Sequence, residues 1–271
     1  MLNLNDQEFN IIKEYVKKNY GINLSNDKKS LVYSRLRMTV AELGLNSFTE
    51  YYELLSGDKS GKVADEFINK ISTNHTFFMR EKEHFDFLSE KVLPEIEAKS
   101  LENDMRIWCT ACSSGEEPYT LQILLQEYFK DKRWNTQMIA SDVSKKVLSI
   151  AHNGVYSAES LQVMPKDWIK TYFEPYERDF YQVKDSVKKD ILYRKINLMD
   201  ENLDRTFTKK FHVIFCRNVM IYFDEKTRDA LVSKFYNMIE PGGYLFIGHS
   251  ERIDSVGVPF RFVMPAVYKK E

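Results

Sequence analysis

"CTACSSGEEPYTLQILL", residues 109 to 125, decides the fold. It begins like the end of a buried strand, turns through a short polar loop and enters an amphipathic helix. Pro118 suits the first turn of that helix, where its missing N–H would be unpaired in any case. A dinucleotide site at such a corner would read Gly-x-Gly-x-x-Gly, because a pyrophosphate needs bare backbone at the helix start. Only Gly115 is present, and Glu116 and Glu117 stand where a phosphate would sit. The corner therefore predicts a ligand that presents no anion there.

Working outward, strands alternate with helices from residue 105: "MRIWCTA", the helix after Pro118, "QMIASDV", a helix through "SKKVLSIAH", "FHVIFCRNV", a helix from Asp224 to Ile239, and "YLFIGHS". Such alternation implies a doubly wound α/β fold, a parallel sheet covered on both faces. "PGG" at 241 to 243 reads as a turn, and "FRFVMPAVYKK" as a last strand returned by a hairpin-like loop through Pro259. A parallel sheet with an antiparallel end is typical of methyltransferases. The segment "ERDFYQVKDSVKKDILYRKIN" (177 to 197) breaks the alternation and predicts a small antiparallel β insertion.

The first seventy residues predict an all-helical domain. Asn5 with Glu8 makes a capping box, Phe9, Ile12 and Val16 keep helical spacing, and Gly21 ends the run. Ser47 with Glu50 repeats the device before Phe48, Tyr51, Tyr52 and Leu55. The expected organisation is a helical domain over 1–72 and a Rossmann-like domain over 73–271, with a β-subdomain at about 175–196. Within the helical part, "KKSLVYSRLR" (28 to 37) carries Lys28, Lys29, Arg35 and Arg37 and no acid. It reads either as a solvated helix face or as a docking face for an acidic protein surface.

The 271 residues, 43% of them hydrophobic, supply a sizeable core. No apolar run approaches the roughly 20 residues that span a bilayer, and the N-terminus lacks signal-peptide features, so a cytoplasmic protein without direct membrane insertion is expected. A net charge of -1 argues against a nucleic-acid binder. Cys109, Cys112 and Cys216 are too few for a disulfide framework or a four-thiolate site. The Cys109-x-x-Cys112 pair, inside a strand, reads as packing, and no metal is expected.

Ligands of doubly wound sheets bind beyond the carboxyl ends of the strands, which makes the strand-end residues the candidates. An acid closing the second strand, Asp142 of "ASDVS", can accept both hydroxyls of a ribose. Its plainer role is a helix N-cap, which Ser144 could fill instead. An adenosine-containing ligand with no phosphate and a positive group fits this set. S-adenosylmethionine is one, its α-amino group facing Glu116 or Glu117 and its sulfonium attracted to aromatic faces.

"STNHTFFMREKEHF" (72 to 85), "CSSGEEPYTLQI", "ASDVS", "INLMD" (196 to 200), "FHVIFCRNVMIYFD" (211 to 224) and "PGGYLFIGHSE" (241 to 251) together resemble the chemotaxis receptor methyltransferases, the CheR family. The resemblance implies methyl transfer from S-adenosylmethionine to glutamate side chains of bacterial chemoreceptors, with S-adenosylhomocysteine as the other product. It also implies the cytoplasmic helical region of a transmembrane receptor as partner. A monomer is expected.

Carried over by motif, Asn74, Thr76 and Arg80 line the cofactor, Glu116 or Glu117 and Asp142 hold its methionyl and ribose parts, and Asn197, Leu198, Arg217 and Asn218 complete the adenosine side. Tyr222 matches the family tyrosine beside the transferred methyl, and Arg80 or Arg217 could steer the acceptor carboxylate. The same resemblance favours docking by Lys28, Lys29, Arg35 and Arg37. Family members that grip a receptor's C-terminal peptide carry a glycine in the β insertion; "YFEPYERDFYQVKDSVKKD" has none, which predicts no tight tether. Two rival readings stay open: a methyltransferase for another acceptor, and a binding module that senses the cofactor without catalysis.

Overall fold

The computed structural model describes residues 2–100, 102–253 and 257–271. The chain divides into two compact units, Met1–Thr73 with Tyr222–Thr227, and Asn74–Ile221 with Arg228–Glu271.

In the first unit, α1 (Asp6–Tyr20) opens on the expected capping box and stops at Gly21, whose φ of 72° lies in the left-handed region. α2 (Lys29–Glu42), α3 (Phe48–Gly57) and α4 (Lys62–Ile71) follow. Glu8 Oε2 accepts the Asn5 N–H at 3.0 Å, while its Oε1 accepts the N–H groups of Phe48 and Thr49 at 3.0 and 3.2 Å. One buried carboxylate thus satisfies orphan donors at the starts of two helices. Helical spacing gathers Phe9, Ile12 and Val16 of α1 and Val32, Leu36 and Val40 of α2 into one core, completed by Tyr51, Leu55 and Phe67, with α1 packed on α3 and α2 on α4.

The second unit contains α5 (Lys82–Phe87), α6 (Leu93–Lys99), β1 (Ile107–Cys109), α7 (Glu116–Tyr128), β2 (Met138–Asp142), α8 (Lys145–Asn153), β3 (Val155–Ser157), α9 (Lys166–Tyr172), β4 (Phe173–Glu177), β5 (Phe180–Val183), α10 (Asp185–Lys188), β6 (Ile191–Lys195), β7 (Phe211–Cys216) and, after α11 (Glu225–Met238), β8 (Ile239–Ile247), β9 (Phe260–Met264) and β10 (Val267–Lys270). A seven-stranded sheet runs β6-β2-β1-β7-β8-β10-β9, parallel from β6 to β8 and antiparallel at β10 and β9. β1 is buried throughout and β7 nearly so, as expected of central parallel strands covered on both faces. The strand order reverses between β1 and β7, and at such a reversal doubly wound sheets bind ligands in the crevice beyond the carboxyl ends.

The doubly wound sheet, its antiparallel end and the helical domain stand as read from the sequence. Three local readings change. The small antiparallel sheet is present with other bounds than 175–196: β4 and β5 pair with β3, whereas β6 joins the main sheet in parallel with β2. Alternating residues mark a strand but not its partner. "PGG" lies inside β8, where the pairing with β7 shifts between Phe211 and Val213; a Cβ on Gly243 would stand 2.7 Å from the His212 carbonyl oxygen. "FRFVMPAVYKK" is two strands, turned at Pro265 and Ala266, with Ala266 at φ 63°. Among the described residues no helix is long and apolar enough to cross a membrane.

Candidate active site

The corner between β1 and α7 is built by backbone. Cys112 N–H donates to the Ser141 carbonyl at 2.8 Å, which ties the loop to the end of β2. Ser113 (φ 48°) and Gly115 (φ 103°) turn the chain in the left-handed region. A Cβ on Gly115 would lie 2.6 Å from the Tyr156 hydroxyl oxygen and 2.9 Å from Ala151 Cβ, so this glycine answers to packing against α8 and β3 rather than to a phosphate.

The two acids then part company. Glu116 accepts the Ser114 hydroxyl at 2.8 Å, and burial pushes its pKa up, with Ser114 opposing. Glu117 sits over the strand-order reversal: its Oε1 accepts the Cys109 thiol at 3.1 Å and its Oε2 the Arg217 guanidinium at 2.8 Å.

Asp142 closes β2 and is buried. Its Oδ2 accepts the Ser113 N–H at 3.0 Å and its Oδ1 the Ser144 N–H at 2.9 Å. Burial raises its pKa more than these N–H groups lower it. Ser144, not Asp142, caps α8 by accepting the Val147 N–H, so the plainer role is already filled. Two carboxylate oxygens side by side at a strand end are the acceptor set that vicinal hydroxyls require. Beside it, Lys195 of β6 pairs in register with Asp142, and the Ile196 N–H donates to the Asp142 carbonyl at 3.1 Å. Asn197 follows directly, its Oδ1 accepting the Met199 N–H at 3.0 Å, and Leu198 is buried.

Arg217 and Asn218 follow β7. The Arg217 side chain is only 1% exposed; it meets Glu117, Glu81 at 3.1 Å and the Arg80 carbonyl, while its Nε has no hydrogen-bond partner. The guanidinium is thus held by two carboxylates and a carbonyl. Asn218 (φ 56°) donates from Nδ2 to Glu81 Oε1 at 3.2 Å, and Glu251 accepts its backbone N–H at 3.1 Å and that of Gly248 at 2.6 Å. A Cβ on Gly248 would stand 2.4 Å from Asn218 Nδ2.

The segment 74–81 joins this group. The Ser113 hydroxyl donates to the Asn74 carbonyl at 2.9 Å; Thr76 is half-buried; Arg80 donates to the His75 carbonyl at 3.0 Å and lies 5.6 Å from the Phe77 ring centroid. Asn74, Arg80, Glu117, Asp142, Asn197, Leu198, Arg217 and Asn218 therefore belong to strand ends of one sheet, to the first turn of α7 or to the segment bonded to them. Sequence reasoning missed Glu81 and Glu251. Both stand in the quoted runs, but no spacing distinguishes them from surface acids.

The remaining candidates, Tyr222 and the basic stretch, belong to the first unit. Tyr222 groups with the helical unit, where its carbonyl accepts the Asn23 N–H at 2.7 Å. Of the basic stretch, Arg35 caps the end of α4 through the Ile71 and Ser72 carbonyls at 2.5 and 3.2 Å, and Lys29 pairs with Asp6 at 2.6 Å. Lys28 and Arg37 are exposed, Lys28 3.4 Å from Asp27. Cys109, Cys112 and Cys216 are buried free thiols, and burial raises each well above the ordinary thiol range.

S-adenosylmethionine, a cationic amino-acid nucleoside without phosphates, fits this donor set. Acceptors predominate here, in Asp142 at the end of β2 and in the carboxylates at the start of α7, where a phosphate site would offer bare backbone N–H groups.

Residues 7–72 match the family model for the CheR methyltransferase, all-alpha domain, and residues 74–268 that for the CheR methyltransferase, SAM binding domain. The chain is 43% identical to a chemotaxis protein methyltransferase of Borreliella burgdorferi, over 99% of this chain and 96% of that one. It is 36% identical to a probable chemotaxis protein methyltransferase of Rhizobium etli (92% and 97% covered) and 32% identical to the chemotaxis protein methyltransferase of Escherichia coli (98% and 92%).

Proposed function

The chain belongs to the CheR methyltransferase family and is an S-adenosylmethionine-dependent methyltransferase; from that premise we propose that its acceptors are glutamate side chains in the cytoplasmic helical region of bacterial chemoreceptors, which it converts to methyl esters. The observation that supports the cofactor half is Asp142 closing β2 and Glu117 in the first turn of α7, with no glycine-rich phosphate loop between β1 and α7. Its relatives' names support the chemotactic half.

In this reading Asp142 accepts the two ribose hydroxyls. Glu117 accepts the α-amino group, because it lies over the strand reversal while Glu116 turns to Ser114. Asn197 and Leu198 flank the adenine and Asn74, Thr76 and Arg80 line the methionyl side, while Tyr222 is assigned to the methyl by its motif alone. The cofactor supplies an electrophilic methyl group on a sulfonium. A glutamate with a reference pKa of about 4.3 is ionised at neutral pH, so no residue need act as general base. Held by Asp142 and Glu117, the cofactor would give that methyl to the acceptor carboxylate and depart as a neutral thioether, the product being a neutral ester. The protein's task is alignment and exclusion of water, which can lower the barrier by several kcal/mol.

Lys28 and Arg37 are the cations of the basic stretch best placed to meet an acidic receptor helix. A tight C-terminal peptide tether is absent in this reading. The β4–β5 turn is only Arg178 and Asp179, with Asp179 at φ 62°, and edge strand β4 carries Pro175, which has no N–H to offer a added strand. Titration calorimetry with a receptor C-terminal peptide should show no micromolar binding.

The test of the function is transfer of label from methyl-labelled cofactor into receptor-containing membranes, followed by mild alkali. Ester label leaves as methanol; alkali-stable label on the receptors would sink the glutamate assignment.

A further inference from the structure

We propose that Glu81 is a positioning residue for cofactor binding, acting through Arg217 and Asn218; the proposal deepens the methyltransferase reading and rests on it. One carboxylate ties three segments. Oε2 accepts the Arg217 guanidinium at 3.1 Å and the His249 N–H at 3.3 Å, and Oε1 accepts Asn218 Nδ2 at 3.2 Å. The 74–81 segment, the end of β7 and the end of β8 are thereby held to one another.

The backbone is strained where this happens. Met79 and Glu81 have φ of 58° and 55°, and Asn218 has 56°. Left-handed geometry at residues other than glycine persists where the surroundings hold it, commonly at functional sites. Arg80 lies between the first two, so the same strain sets its direction.

Charge gives Glu81 a second effect. Arg217 stands between Glu117 and Glu81, so the trio sums to one negative charge at the crevice meant for a cationic ligand. Burial alone would raise the Glu81 pKa, but Arg217, Asn218 and His249 outweigh it and keep the group ionised. Removing that charge brings the sum to zero and frees Asn218.

Glu81, His84 and His249 also approach as metal ligands would, their donor atoms within 4.8 Å of one another. A cation there would share Oε2 with a guanidinium 3.1 Å away, like charge facing like. The cluster is better explained as a hydrogen-bonded brace. His84 is buried in it, with Nδ1 3.5 Å from Oε2.

The test measures S-adenosylhomocysteine affinity, the KM for S-adenosylmethionine, kcat and Tm in Glu81→Gln, with Glu95→Gln as control. Glu95 serves a different network, accepting from Lys99, Lys269 and Tyr244. Glu81→Gln should weaken product binding about ten- to a hundredfold and raise KM in step, with kcat at saturation changed far less. Glu95→Gln should lower Tm and leave affinity and KM unchanged. A Glu81→Gln protein that loses Tm but binds within about twofold of wild type overturns the proposal. Should that variant not fold, Glu81→Asp, which keeps the charge at shorter reach, carries the same comparison: weaker binding supports positioning and unchanged binding refutes it. Failure of the wild type to bind S-adenosylhomocysteine is a separate result, and it removes the methyltransferase reading itself.

Discussion

Replacing Asp142 by Asn separates the cofactor role of this carboxylate from its structural one. Both oxygens accept backbone N–H groups, Oδ2 from Ser113 at 3.0 Å and Oδ1 from Ser144 at 2.9 Å. An amide keeps one acceptor and turns an NH₂ group toward the other N–H. That mismatch costs about 1–3 kcal/mol, offset in part because burial already disfavours the charge, as the raised pKa shows. Folding should therefore survive, with a Tm lower by a few degrees. Cofactor binding has no such offset. Losing one charge-assisted bond to a ribose hydroxyl costs about 1.5–3 kcal/mol, or roughly ten- to a hundredfold in Kd. Calorimetry with S-adenosylhomocysteine at pH 7.5 reads the affinity and thermal unfolding reads the fold. The pH dependence sharpens the comparison. A carboxyl with a raised pKa takes up its proton earlier as pH falls, so wild-type affinity should decline on acidification by a contribution that Asp142→Asn lacks. An Asp142→Asn protein that binds as tightly as wild type, with the same pH profile, would refute the ribose assignment.

Other expectations follow from single contacts. Gly115→Ala forces a left-handed φ on alanine and sets its Cβ against Tyr156 and Ala151, which should cost about 2–4 kcal/mol and shift Tm downward by several degrees in a melting curve. Glu95 is desolvated, but bonds from Lys269, Lys99 and Tyr244 prevail and hold its pKa near 2, below its ordinary 4.5. Its contribution is thus fully present above pH 4.5 and lost as pH falls toward about 2; allowing for solvent screening it is about 1–2 kcal/mol, so the Tm gap between wild type and Glu95→Gln should close on acidification. Arg35→Ala should lower Tm because two carbonyls at the end of α4 lose their donor. Arg37→Glu should leave Tm unchanged and slow receptor methylation in the label-transfer assay; an unaltered rate removes Arg37 from docking.

Patterns confined to one element were legible in the sequence. Asn5, Glu8 and Gly21 bound α1 because capping needs only neighbours three or four residues away. The alternation of apolar strands with helices determined a parallel sheet, and the quoted runs determined the family. Strand partnership was not legible: "ILYRK" (191 to 195) looks the same beside β5 as beside β2, and only the docking of the whole chain put it against β2. Nor was the difference between Glu116 and Glu117, adjacent acids whose side chains leave a helix about 100° apart, one toward Ser114 and the other toward Arg217. Glu81 reached its partners across more than a hundred residues of chain. Local spacing fixes which residues can end a strand or cap a helix, whereas the pairing of buried charges depends on three-dimensional proximity, so the ion-pair network was decided by tertiary structure alone.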